Sequence, residues 1–180
     1  MERIPYPPAD SFPPELPPAN MLRMWSHSPA TLRPGLGLGT ACITALSISP
    51  ALREALALYC SVKFDCDYIW TRHTDDAKNA GLTEDHFRAL KDRNIQSLQV
   101  WSEQEVAFLV FLNDVIDKPE ASDEALNEAR KWFDDRQVVE IITAQGFYYM
   151  WARIATTLRV GLDTGLEGDD RKAKQWATGS

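Results

Sequence analysis

Apolar positions in this chain recur at helical spacing and show no sustained alternation. The clearest case is residues 135–160, where Val138, Ile141, Ile142, Phe147, Trp151, Ile154 and Leu158 mark one long helix. Punctuation divides the rest. Residues 20–26 suit a short helix, and residues 36–47 a longer one weakened by Gly35, Gly37 and Gly39. Pro50 fits the first turn of a helix over 50–63. A further helix over 66–80 ends at Gly81, a good stop signal. Thr83 opens another. Ser102 and Glu105 form a capping box for a helix running to about Ile116. Ser122 starts a shorter one ending near Phe133. No segment reads as a strand, so the expected class is all-α.

Nine of the eleven prolines lie within residues 5–34. Residues 1–19 therefore form neither a helix nor a central strand. They read as an extended arm on the domain or on a neighbouring subunit. A disordered tail is the rival reading, against which Ile4, Tyr6, Phe12 and Leu16 supply apolar anchors. Residues 20–163 make the domain, and residues 164–180, glycine-bearing and mixed in charge, read as a flexible tail.

Composition narrows the function. A chain of 180 residues suits one domain with a real core. A net charge of −7 argues against nucleic acid and anionic membranes as partners. No apolar run approaches a membrane span, and the N-terminal residues lack the basic-then-apolar order of a signal peptide. Three cysteines without framework spacing suit free thiols and a cytoplasmic setting. Cys60, Cys66 and His73 lack a zinc spacing, and no metal is expected. The Gly-x-Gly-x-Gly run has no preceding strand, so we read it as close helix packing and not as a dinucleotide loop.

Candidate chemistry gathers in residues 54–81. Cys66 and His73 are seven residues apart, nearly two turns, so they share a helix face with Ile69 between them. With Asp65 as N-cap, Cys66 enters the first turn, where the helix dipole favours a thiolate. His73 is then a general acid/base on the same face. Plainer readings stand beside these: Cys66 as a small buried hydrophobe, His73 as a solvated residue, Glu54 as a surface charge beside Arg53.

Arg53-Glu54 followed by Cys66-Asp67-Tyr68-Ile69-Trp70-Thr71-Arg72-His73 resembles the signature helix pair of the carboxymuconolactone decarboxylase/alkylhydroperoxidase D (AhpD-like) superfamily. Gly146-Phe147-Tyr148-Tyr149-Met150-Trp151-Ala152-Arg153 is similar to the closing helix of its decarboxylase-type members. Ile69 departs from the pattern, standing where peroxidase members carry a second cysteine. Tyr149 departs too, replacing a small polar residue. The resemblance implies an AhpD-like helical domain and a homo-oligomer, trimer or hexamer. It also implies that Glu54 orients or charge-tunes His73. The expected catalytic residues are His73, Glu54 and Cys66. Ile69, Trp70, Tyr148 and Tyr149 are the expected substrate-binding wall.

The expected function is a cofactor-free enzyme moving protons on a small carbonyl or lactone metabolite, in a tailoring step of secondary metabolism. Decarboxylation, isomerisation, dehydration or related lyase chemistry all fit. A thiol-dependent peroxidase and a non-catalytic oligomeric binding protein of the same fold are the alternatives.

Overall fold

The computed structural model describes residues 1–163, and the tail expected at 164–180 lies outside the described residues. Eight α-helices account for the architecture, and no strand occurs among the described residues. They are α1 (Asn20–Trp25), α2 (Pro29–Thr44), α3 (Pro50–Phe64), α4 (Asp67–Asn79), α5 (Glu84–Lys91), α6 (Glu103–Asp117), α7 (Asp123–Ala129) and α8 (Asp135–Leu158). No described helix is long and apolar enough to cross a membrane.

α3 and α8 form the centre. α3 is buried along most of its length, and α8 runs beside it, presenting Val138, Ile141, Ala144, Phe147, Tyr148, Ala152 and Ala155 to the core. Local chemistry sets most of the helix limits. Ser49 accepts a hydrogen bond from the Leu52 N–H ahead of Pro50, and Ser102 and Glu105 complete the capping box of α6. Gly81, at φ 102°, ends α4 with its N–H donating to the Lys78 carbonyl. The segment at Ser122 stops as a helix at Ala129, and turns continue the chain to Phe133.

α2 begins at Pro29, well before the expected start at Leu36, and it contains Pro34. An interior proline costs about 3 kcal/mol. Leu32 and Leu36 offset that cost by filling a second small core with Leu16, Leu22 and Trp25. Two glycines of α2, Gly35 and Gly39, serve close packing. A Cβ on Gly35 would lie 2.1 Å from the Trp25 ring, and one on Gly39 would lie 2.6 Å from Phe147.

The proline-rich segment packs on the chain's own helices. The Arg3 N–H donates to the Leu158 carbonyl, the Arg23 guanidinium lies over the Tyr6 ring, and Leu16 is buried. α1 has no side-chain cap of its own. Asp163, from the far end of the described chain, accepts the Asn20 N–H at 2.8 Å and the Tyr68 hydroxyl at 2.5 Å. A carboxylate at that helix start suits both its unpaired N–H groups and its dipole.

Candidate active site

α3 and α4 form an antiparallel pair. Glu54 near the start of α3 meets His73 midway along α4, while Ser61 near the end of α3 meets Cys66 at the start of α4. The reversal is made by Asp65, which ends α3 in the left-handed conformation (φ 54°, ψ 53°). Asp65 is therefore not the N-cap of α4; Cys66 is. The Ser61 hydroxyl donates to the Cys66 carbonyl at 3.0 Å and holds the corner.

Three side chains from three helices join farther along the pair. His73 Nδ1 lies 2.8 Å from Glu54 Oε2, and the Tyr148 hydroxyl lies 3.3 Å from His73 Nε2. The imidazole and phenol rings meet edge to face at 5.3 Å. The other oxygen of Glu54, Oε1, accepts from Arg53 Nε at 3.3 Å. The Glu54 side chain is only 4% exposed, whereas His73 keeps 12% and Arg53 19%. Solvent therefore reaches the group through His73 and Arg53.

Burial pushes the Glu54 carboxyl up, but His73 and then Arg53 outweigh it and hold it below its ordinary value. Burial, reinforced by the Glu54 charge, pushes the Tyr148 phenol well above its ordinary value, so it keeps its proton. Together these fix a direction. Glu54 is an acceptor, so His73 donates from Nδ1. Tyr148 is a donor, so neutral His73 accepts at Nε2. The basic nitrogen is thus Nε2.

Cys66 stands apart from this chain. Burial pushes its thiol up and outweighs the Tyr68 and Ile69 N–H groups that favour the thiolate. This corrects the expected low-pKa thiol. The charges that act on it belong to Arg153, which favours the thiolate, and Asp67, which opposes it. Cys42 and Cys60 are also buried and free, and burial raises Cys42 to about 11.

The expected substrate wall divides. Tyr148 contacts His73 directly, a closer role than a pocket wall. Ile69 is fully buried in the main core. Trp70 is half-buried, with its ring edge to face with Phe87 and the Lys91 ammonium over it. Tyr149 faces outward at 50% exposure, packed on Phe64 and under Arg153. Arg53, read from sequence as the first member of the Arg-Glu pair, is the adjacent residue of α3 and pairs with Glu54 Oε1. Among the described residues, no three His, Cys, Asp or Glu side chains converge as metal ligands do.

No protein-family model and no curated protein matches the chain. Solved structures do. An uncharacterized peroxidase-related protein with an alkylhydroperoxidase AhpD core, from Ralstonia eutropha, superposes with a TM-score of 0.77 at 15% identity, over 98% of this chain and 96% of its own. An uncharacterized peroxidase-related protein from Silicibacter gives 0.71 at 17% identity, over 83% and 79%. A protein of unknown function from Agrobacterium tumefaciens, whose name suggests the antioxidant defence protein AhpD, gives 0.69 at 24% identity, over 78% and 95%. At these identities the likeness establishes the fold alone: the chain has the all-α, AhpD-like helical fold of these structures.

Proposed function

We propose that the chain is a cofactor-free enzyme in which His73 moves a proton on a small carbonyl or lactone compound. The observation that carries the reading is the buried Glu54–His73–Tyr148 hydrogen-bonded chain. Nε2 takes a proton from the carbon beside the carbonyl, and the C–H electron pair moves onto oxygen as an enolate. Glu54 stabilises the imidazolium that results and holds the ring in place. Return of the proton to a different carbon gives isomerisation. Where a carboxylate leaves as carbon dioxide, no C–H proton is taken: the C–C electron pair stays on carbon, and a His73 imidazolium that has drawn its proton from solvent protonates the carbanion left behind. The Tyr148 contact, at 3.3 Å the longer of the two bonds to the ring, is the one that yields as substrate approaches Nε2.

A thiol peroxidase has less support here, although two of the similar structures carry peroxidase-related names. Peroxide reduction needs a thiolate and a resolving thiol. Burial disfavours the Cys66 thiolate, and Ile69 occupies the position one turn on. The homo-oligomer belongs to the same proposal. Light scattering tests it, and a clean monomer of 20.3 kDa contradicts it.

The test of the reaction is deuterium uptake from heavy water at the carbon beside the carbonyl, followed by NMR over a panel of small ketones, 3-oxo acids and lactones. The native chain accelerates uptake for at least one class, and His73→Ala loses about a hundredfold or more. Equal rates for the two proteins, or none above buffer across the panel, contradict the reading.

A further inference from the structure

We propose that the outward face of α8 is a two-fold interface, where it packs antiparallel on α8 of a second copy of this chain with Ile142 of each copy seated over Gly146 of the other. This rests on the homo-oligomer part of the reading above, to which it gives a face, a symmetry and a register; the proton transfer does not bear on it. Asp135, Val139, Ile142, Gly146, Tyr149 and Arg153 follow one another at steps of three or four residues, so they form one row along α8. All six are exposed, Val139 to 61%. The row runs about 27 Å. Single apolar side chains on a surface need no explanation, but three gathered around a glycine on one helix face make a continuous patch.

Gly146 is the independent observation. It lies in the middle of a 24-residue helix, where glycine is less stable than alanine. Its φ is not positive, so the backbone does not ask for glycine there. A Cβ on Gly146 would meet nothing within 4 Å, whereas one on Gly35 or Gly39 would strike a ring of this same chain. The gap at Gly146 therefore matters only to something that packs on α8 from outside.

Self-complementarity names that occupant. About a two-fold axis level with Ala144, an antiparallel copy sets Ile142 against Gly146, Val139 against Tyr149 and Asp135 against Arg153. A branched side chain meets the gap, an aliphatic one meets a ring, and a carboxylate meets a guanidinium. Each pairing occurs twice, as an isologous contact requires. The missing Cβ lets the two helix axes come close while Ile142 still fits. A parallel copy would set gap on gap and each charge against its own sign. Both charges are already held at the ends of the row, Asp135 by Arg130 and Arg153 by the Phe64 carbonyl.

The experiment joins light scattering on the full chain, over a range of concentrations, to cysteine crosslinking. The native mass is an even multiple of 20.3 kDa, because every copy on this face needs one partner. Gly146→Leu fills space that is empty in a single copy, so circular dichroism shows native helix content while self-association weakens about tenfold or more. Val139→Cys and Tyr149→Cys chains, mixed, left to exchange and oxidised, give a disulfide-linked dimer. Either variant alone does not, since equal positions on the two copies lie about 15 Å apart along the axis. The native cysteines are buried and do not compete. Should Gly146→Leu not fold, the crosslinks decide. An oligomer that is odd-numbered, that Gly146→Leu leaves unchanged, or that links Val139→Cys to itself overturns this face alone. A monomer throughout leaves the row to residues 164–180 or to another protein, and overturns the homo-oligomer as well. Deuterium uptake reads the proton transfer separately from all of these.

Discussion

Two positions along α4, Cys66 at its N-cap and His73 midway along it, hold residues of comparable reactivity in opposite states. At His73, a buried carboxylate, an imidazole and a phenol are joined by hydrogen bonds, with Arg53 on the remaining carboxylate oxygen. At Cys66, a buried thiol at the helix N-cap meets the Ile69 and Tyr68 N–H groups and the charges of Arg153 and Asp67, and burial pushes it up. Both positions lie against α3, and both sit under little solvent. The difference is pairing. A buried charge persists only where partners replace the water it has lost, and Glu54 has two such partners while Cys66 has none of comparable strength. The lesson is that a helix N-terminus does not make a reactive thiol when desolvation is the larger effect.

Removing a partner from the paired site has the largest predicted effect. Glu54→Ala leaves Arg53 and His73 without their acceptor and costs about 3–5 kcal/mol of stability, by chemical denaturation. Cys66→Ala removes only a small apolar contact and costs roughly 1 kcal/mol. Equal costs would erase the distinction between the two positions.

The paired site also predicts how stability depends on pH. The folded chain holds the Glu54 carboxyl below its ordinary 4.5, so the unfolded chain takes up the proton first as pH falls. Its contribution is complete above that value and is lost as pH drops through the folded one. The stability gap between the native chain and Glu54→Gln should therefore be widest near neutral pH and close progressively below about pH 4.5. A gap that widens on acidification contradicts the pairing.

Redox behaviour separates the two positions in another way. Oxidised native protein should contain no Cys60–Cys66 disulfide and should consume little peroxide with any dithiol. Ile69→Cys places a thiol one turn from Cys66 on the same helix and should yield an intramolecular disulfide, read by mass spectrometry of the unreduced protein. Failure of that bond to form would count against the register of α4 at the Cys66 end.

The smallest effect belongs to Tyr148→Phe, which removes one hydrogen bond of 3.3 Å. It should cost about 0.5–1.5 kcal/mol, and the pH profile of turnover should shift because Nε2 loses its donor. A stability loss with an unmoved profile would make Tyr148 a packing residue only.

Much of this was legible in the sequence where the cause is local. Ser102 with Glu105, Pro50 and Gly81 each act within one turn, and each sets a helix limit where expected. The expected start at Leu36 was too late, and α2 runs through Pro34. Its local cost is real, but Leu32 and Leu36 repay it through a core that includes Leu16, far away in the arm. At the site, helical spacing placed Cys66 and His73 on one helix, while the meeting of Glu54 with His73 rested on resemblance, since it depends on the turn at Asp65. The thiol was misjudged because the dipole is read from sequence position and burial is not. Tyr148 on His73 and Asp163 on Asn20 and Tyr68 depend on how distant elements dock, and no spacing announced them.

The central claim is that chemistry belongs to the His73 position of α4 and packing to the Cys66 position. Parallel turnover of the native chain, His73→Ala and Cys66→Ala on the best substrate from the deuterium-uptake panel tests it directly, with folding of each checked by circular dichroism. The account predicts that Cys66→Ala keeps most of the native rate while His73→Ala loses about a hundredfold or more. Loss of turnover in Cys66→Ala, with His73→Ala near the native rate, would contradict it.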